Sequence, residues 1–330
     1  MKAAVIGLGK IGLPIAITIA DAGIQVTGGD ASPKVVEEVN SGRAPFPGEP
    51  GLVEGIQRSL SSGLLRATTD NAEAAKNADI IVVIVPMYVD DQGIPDYSIL
   101  ESVSRDIGSV LHAGQTVIYE TTLPVGATRS RLAPILTEVS GLKAGHDFHV
   151  VHSPERVFSG RVFADLKRYP KIIGGLTPSC GDIAKDFYQQ VLVFDDRPDL
   201  DRLNGVWDLG SVEAAEFAKL AETTYRDVNI ALANEFGDFA ERLNVDIHEI
   251  IDAANSQPFS HIHQPGIYVG GHCIPVYPRF YSSVDTAAKL PPLARQINDA
   301  GPERAVTRLE VELGSLQGMK IGVLGSTYRG

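Results

Sequence analysis

The chain has 330 residues, 44% hydrophobic and 21% charged, with 29 Lys plus Arg against 41 Asp plus Glu and a net charge of −12. That length suggests two or three domains of roughly 100–200 residues, able to bury cores without disulfides. The acidic balance excludes a wholesale nucleic-acid binder, no apolar run reaches the roughly 18 residues of a membrane span, and two cysteines, Cys180 and Cys273, make no disulfide framework.

In chain order, β-branched runs at residues 3–6, 25–28, 80–85, 116–119 and 149–152 read as strands. Helix-period segments at 14–22, 99–111 and 127–139 lie among them. Strands alternating with helices predict a parallel, doubly wound α/β sheet. The run Ile80-Ile81-Val82-Val83-Ile84-Val85 is continuously apolar, as a strand covered on both faces requires. The start, Met1-Lys2-Ala3-Ala4-Val5-Ile6-Gly7, is too short and glycine-rich for a signal peptide, and with two cysteines it predicts a reduced, cytoplasmic chain.

Residues 197–210 are polar and turn-rich and read as a boundary. Residues 211–244 read as one long helix, without Pro and with Gly237 its only glycine. A helix of that length is expected to cross between domains or to form a dimer interface. A loop rich in Pro, Gly and aromatics follows at 258–281, then a helix at 293–313 and a strand at 320–324. The expected domains are 1–200, 201–301 and 302–330. The last is read as a connecting helix and the first strand of a truncated second α/β domain.

Gly7-Leu8-Gly9-Lys10-Ile11-Gly12 is a GxGxxG directly after a strand and opening a helix, and Asp30 ends the second strand. In this context the pattern predicts a Rossmann-like dinucleotide cradle. The glycines permit a tight turn and close approach of backbone to a pyrophosphate, which the helix N–H groups then face. Asp30 can accept hydrogen bonds from ribose hydroxyls and repels a 2′-phosphate, which favours NAD over NADP.

Two further segments carry candidate chemistry. In Tyr268-Val269-Gly270-Gly271-His272-Cys273-Ile274-Pro275 the glycines let backbone approach a ligand and offer N–H groups to an oxyanion. Cys273 is either a nucleophile or a buried structural cysteine. Cys180 lacks such a setting and reads as structural or incidental. The histidines at 261, 263 and 272 fit no compact zinc spacing with Cys273, so no metal is expected. Lys219, Thr223 and Arg226 share one face of the long helix at i, i+4 and i+7. They are either a cationic face for a phosphorylated substrate or an exposed stripe in which Glu222 pairs with Arg226.

Together these pieces resemble the UDP-glucose/GDP-mannose dehydrogenase family, the nucleotide-sugar 6-dehydrogenases. The resemblance runs along the whole chain. It rests on the segment 7–14, Asn40-Ser41-Gly42, Glu49-Pro50-Gly51-Leu52, Val85-Pro86, Thr121-Thr122-Leu123-Pro124-Val125-Gly126, Ser153-Pro154-Glu155-Arg156-Val157, the segment 219–235, and 270–275. The stretch Tyr225-Arg226-Asp227-Val228-Asn229-Ile230-Ala231-Leu232-Ala233-Asn234-Glu235 looks most like the branch acting on UDP-N-acetylhexosamines, UDP-N-acetylmannosamine in particular.

The resemblance implies an NAD domain, a central helical domain that dimerises through the long helix, and a UDP-binding domain of which residues 320–330 resemble the opening. It implies oxidation of a sugar C6 alcohol to a carboxylate with two NAD. Gly7, Gly9, Lys10, Ile11, Gly12, Asp30, Val85, Pro86 and Thr122 would hold the cofactor. Cys273 would capture the aldehyde, Lys219 would steady the oxyanion, Glu155 would act on the hydrolytic water, and Thr122 would hold a water or the nicotinamide side. Arg156, Val157, Thr223, Arg226 and Gly270 would contact the sugar or its phosphates. Two positions depart from the family: Tyr277 stands where Asp is usual, four residues after the cysteine, and Thr223 where Asn is usual, four after the lysine.

Overall fold

A computed structural model describes residues 1–90, 92–271 and 273–324. The chain divides into two compact units, residues 1–88 with 96–219, and residues 89–95 with 220–330.

The first unit is built on an eight-stranded sheet. Its strands are β1 (Lys2–Ile6), β2 (Gln25–Gly29), β3 (Leu65–Thr68), β4 (Ile80–Val83), β7 (Thr116–Tyr119), β8 (His149–His152), β9 (Lys171–Gly175) and β10 (Val206–Asp208). A two-stranded ribbon, β5 (Tyr88–Val89) with β6 (Pro95–Asp96), lies between β4 and β7 in the chain. The spatial order is β10-β9-β8-β7-β4-β1-β2-β3. The six strands from β3 to β8 pair in parallel. Counted in chain order within that set they run 3-2-1-4-5-6, the doubly wound dinucleotide-binding arrangement. β9 joins β8 antiparallel, and β10 follows β9 in parallel.

The apolar pattern explains the layers. Ile80, Ile81, Val82 and Val83 are all buried, as are Leu13, Ile15, Ala16, Ile17, Ile19 and Ala20 of helix Gly12–Asp21. The sheet is therefore covered on both faces, and this core sets rigid strand ends at one edge.

The second unit is helical. Helix Val212–Leu243 runs into it, with residues from Leu220 onward belonging here, and helices Ile247–Asn255, Tyr277–Val284, Leu290–Asp299 and Gly301–Leu313 follow.

Four elements differ from the sequence reading. The expected helix at 127–139 opens as a π-helical turn, Thr128–Leu132, before regular helix Ala133–Ser140. Pro134 supplies no N–H for the normal ladder at that point. The polar segment 197–210 contains edge strand β10. The single helix expected at 293–313 is two, with Pro302 in the first turn of the second. Residues 320–324 form no strand: Ile321, Val323 and Leu324 are exposed, with no pairing partner among the described residues. A strand exists by pairing, so β-branched composition alone does not make one. The remainder of the expected second α/β domain, 325–330, lies outside the described residues, as does His272.

Candidate functional site

Parallel strands end at the same edge, and in a doubly wound sheet ligands bind beyond those carboxyl ends where the strand order reverses. β1 and β4 are neighbours at that reversal. Gly7 to Gly12 follow β1, Val85 and Pro86 follow β4, Thr121 and Thr122 follow β7, and Glu155 to Val157 follow β8. The sheet thus brings together at one edge residues far apart in sequence.

The glycine loop is specified by close approaches. Gly7 has φ +100°, and a Cβ on it would lie 2.7 Å from the Ile84 carbonyl oxygen. Gly12 packs against the turn itself. Gly9 is different: a Cβ there would meet nothing within 4 Å, so its backbone faces open space. No side chain caps helix Gly12–Asp21, whose first residues follow Ile11. Asp30 completes the cradle by accepting from Leu8 N at 2.8 Å and from Ser32 N at 2.8 Å. Each carboxylate oxygen keeps a second lone pair for a ribose hydroxyl. Lys10 is exposed at the loop tip, and Pro86 is exposed beside buried Val85, whose carbonyl accepts from Thr121 Oγ1 at 2.7 Å. Thr122 is buried in the same turn. These residues fit a dinucleotide pyrophosphate.

Glu155 sits in a buried network that the sequence reading did not include. β9 runs against the six strands from β3 to β8, so its first residue, Lys171, lies at the ligand edge. Its Nζ is 2.7 Å from Glu155 Oε2 and 2.9 Å from Glu120 Oε1. Glu155 Oε1 accepts from Arg156 N at 2.7 Å, and Tyr188 donates its hydroxyl to Glu120. Burial pushes Glu155 upward, but the Lys171 ammonium outweighs it, with Lys219 adding to the effect, and the carboxyl rests below its ordinary range. Glu120 goes the other way, raised by burial against the pull of Lys171. Lys171, Glu120 and Tyr188 carry no recognisable motif, and a lysine opening a short strand with two glycines gave no signal.

Lys219 is buried, which sets aside a solvent-exposed stripe for that position. One turn earlier Glu216 accepts from Gly126 N at 2.5 Å and Thr128 N at 2.8 Å, and burial raises it to about 7. Val157 packs half-buried against the core of the first unit.

In the second unit Cys273 is exposed and Cys180, in the first, is buried, so the buried structural reading belongs to Cys180. The Cys273 carbonyl accepts from Tyr277 N at 2.9 Å, Ile274 O accepts from Arg295 Nη1 and Pro275 O from Arg279 Nε, both at 3.2 Å. Arg295 is anchored at 2.8 Å on Asp227, a buried carboxyl raised to about 6 by desolvation despite that guanidinium. The approach to the cysteine is held by helix side chains. Asn229 accepts from His263 N and donates to His261 O, and Asn234 accepts from Gly266 N. Gly270 is open, Thr223 is buried with its hydroxyl on Leu220 O, and Arg226 is half-buried close enough to lower His263, after burial.

The fold and the glycine cradle define a dinucleotide-binding oxidoreductase. The family model described as UDP-glucose/GDP-mannose dehydrogenase family, NAD binding domain, matches residues 1–192, and the central-domain model of that family matches residues 213–300. The chain belongs to the UDP-glucose/GDP-mannose dehydrogenase family, and its dinucleotide is NAD. It is 38% identical to a UDP-N-acetyl-D-mannosamine dehydrogenase of Pyrococcus horikoshii over all of this chain and 77% of that protein. It is 36% identical to an NDP-N-acetyl-D-galactosaminuronic acid dehydrogenase of Ralstonia nicotianae, over 93% of this chain and 70% of the other. The solved structure of the Pyrococcus horikoshii UDP-D-ManNAc dehydrogenase superposes with TM-score 0.87 at 37% identity, covering 95% of this chain and 72% of that one.

Proposed function

We propose that this protein oxidises the C6 alcohol of UDP-N-acetyl-D-mannosamine to the uronic acid, with NAD as oxidant. The observation carrying this reading is the similarity, along the whole of this chain and 77% of the relative, to a protein named for that substrate, together with a cradle suited to NAD. When bound, NAD accepts one hydride in each of two oxidations.

The chain's own residues do the rest. Loss of the first hydride and the hydroxyl proton leaves an aldehyde. Cys273 adds its sulfur to that carbonyl carbon, giving a thiohemiacetal that cannot diffuse away. Loss of a second hydride and a proton leaves a thioester, and water releases the carboxylate and the free thiol. Lys219 steadies the oxyanion, a contribution on the scale of a few kcal/mol for one well-placed donor. Glu155 orients the hydrolytic water, with Thr122 beside it at the strand ends. Arg156, Val157, Thr223, Arg226 and Gly270 receive the sugar and its phosphates.

We also propose a homodimer formed through the long helix. Leu232, Phe236, Phe239 and Leu243 are exposed at helical spacing, an apolar stripe that a second copy would cover. No helix among the described residues is long and apolar enough to cross a membrane, and a cytoplasmic site accords with an NAD-dependent reaction.

The test is a panel of UDP-sugars supplied with NAD, with the uronic acid identified by mass. UDP-N-acetylmannosamine is expected to be turned over fastest. Preference for UDP-glucose would replace the substrate, and absence of any acid product would overturn the reading.

A further inference from the structure

We propose that Lys171 is a positioning residue for the reaction: it acts through Glu155, pinning that carboxylate against the loop that carries Arg156, so that Glu155 holds water as a hydrogen-bond acceptor. This rests on the reaction proposed above and adds a residue to it.

Both oxygens of Glu155 are committed, Oε2 to the Lys171 ammonium at 2.7 Å and Oε1 to Arg156 N at 2.7 Å. The carboxylate therefore cannot rotate without breaking a bond to each side. Lys171 is fixed in turn by Glu120 Oε1 at 2.9 Å and by the Tyr188 ring, whose centroid is 4.8 Å from Nζ. Glu155, Lys171, Glu120 and Tyr188 come from four separate segments, so only the tertiary fold assembles them; Lys171, Glu120 and Tyr188 are buried, and the Glu155 side chain is about 10% exposed.

The charges around Glu155 divide unequally. Lys171 on β9 and Lys219 on helix Val212–Leu243 favour its ionised form. Glu120, at the end of β7, and Tyr188, on helix Pro178–Val191, are both pushed upward by burial and keep their protons more firmly. Asp165, on helix Val162–Arg168, spends its carboxylate on Arg161 and Phe158 N. His152, on β8, is held neutral by burial and by Lys171. Two carboxyls pushed apart in this way take different roles. Glu155 stays charged and is a weak proton acceptor, which suits holding a water. Glu120, raised by burial, supports the Lys171 ammonium from the other side at 2.9 Å.

The experiment uses the full chain labelled with 13C at glutamate carboxyls, with the Glu155 signal identified by its loss in Glu155→Gln. The wild-type signal is expected to titrate below the ordinary 4.5. Lys171→Met moves the midpoint up by about one unit or more and carries the acid limb of kcat with it. Lys171→Arg, which keeps the charge, restores the low midpoint. A merely structural role lowers kcat without moving these midpoints. An unchanged midpoint in Lys171→Met overturns the proposal, and so does an unchanged midpoint in Lys171→Gln, which decides alone if Lys171→Met does not fold. The titration needs no turnover. A wild-type chain inactive on every UDP-sugar would overturn the reaction, while the midpoints would still decide whether Lys171 governs Glu155.

Discussion

A Cβ on Gly12 would fall 1.9 Å from the carbonyl oxygen of Gly7, closer than any real side-chain carbon can approach. The third glycine of the loop is there to bring helix and strand together, whereas Gly9 leaves its backbone open to a ligand. The two positions should fail differently. Gly12→Ala overpacks the turn and is expected to cost about 1–3 kcal/mol of stability or more. Gly9→Ala should stay within about 0.5 kcal/mol of wild type yet lose NAD affinity, because its methyl stands where a phosphate approaches. Thermal melts alongside NAD titration check both. A Gly9→Ala protein with normal NAD affinity would contradict the cradle.

Asp30 ties down the Leu8 and Ser32 N–H groups, and in the proposed cradle its remaining lone pairs would receive the ribose hydroxyls. Charge-assisted bonds of this kind are worth roughly 1.5–3 kcal/mol. Asp30→Ala should weaken NAD about tenfold and narrow the preference for NAD over NADP, read by fluorescence titration with each nucleotide. Unchanged discrimination in the variant would assign selectivity elsewhere.

His152 is fully buried, and burial, aided by Lys171, depresses it to about 3. The unfolded chain binds a proton near 6.5 that the folded one refuses. The contribution of neutral His152 is therefore complete above about pH 6.5 and declines as pH falls toward 3. The loss amounts to roughly 3 kcal/mol by about pH 4. His152→Leu should flatten this acid-side decline in denaturant melts between pH 4 and 7. Parallel curves for the two proteins would contradict it.

The exposed stripe Leu232, Phe236, Phe239 and Leu243 predicts that Phe236→Glu with Phe239→Glu yields a monomer in sedimentation at micromolar concentration. A wild-type chain monomeric at every concentration would remove the dimer.

The five strands read in the first 200 residues are β-branched runs whose pairing is buried, so composition and structure agree there, unlike at 320–324. β3, Leu65-Arg66-Ala67-Thr68, was missed because a four-residue edge strand alternates too briefly. β9 was missed because it ends in two glycines, one of which packs so closely on Ser211 that only glycine fits. The break at Gly301 answers a distant ring: a Cβ there would lie 2.3 Å from Tyr268 Cγ. The glycine loop was legible because its geometry is local. The Glu120–Lys171–Glu155 bridge was not, because a buried ammonium is defined by the two carboxylates that other strands bring to it.

The proposed reaction turns on Cys273 capturing the oxidised carbon before it leaves. Counting NADH formed per UDP-N-acetylmannosamine consumed decides this: two per sugar in the wild type, with turnover lost in Cys273→Ser. One NADH per sugar with free aldehyde in solution, or Cys273→Ser turning over as fast as wild type, would contradict it.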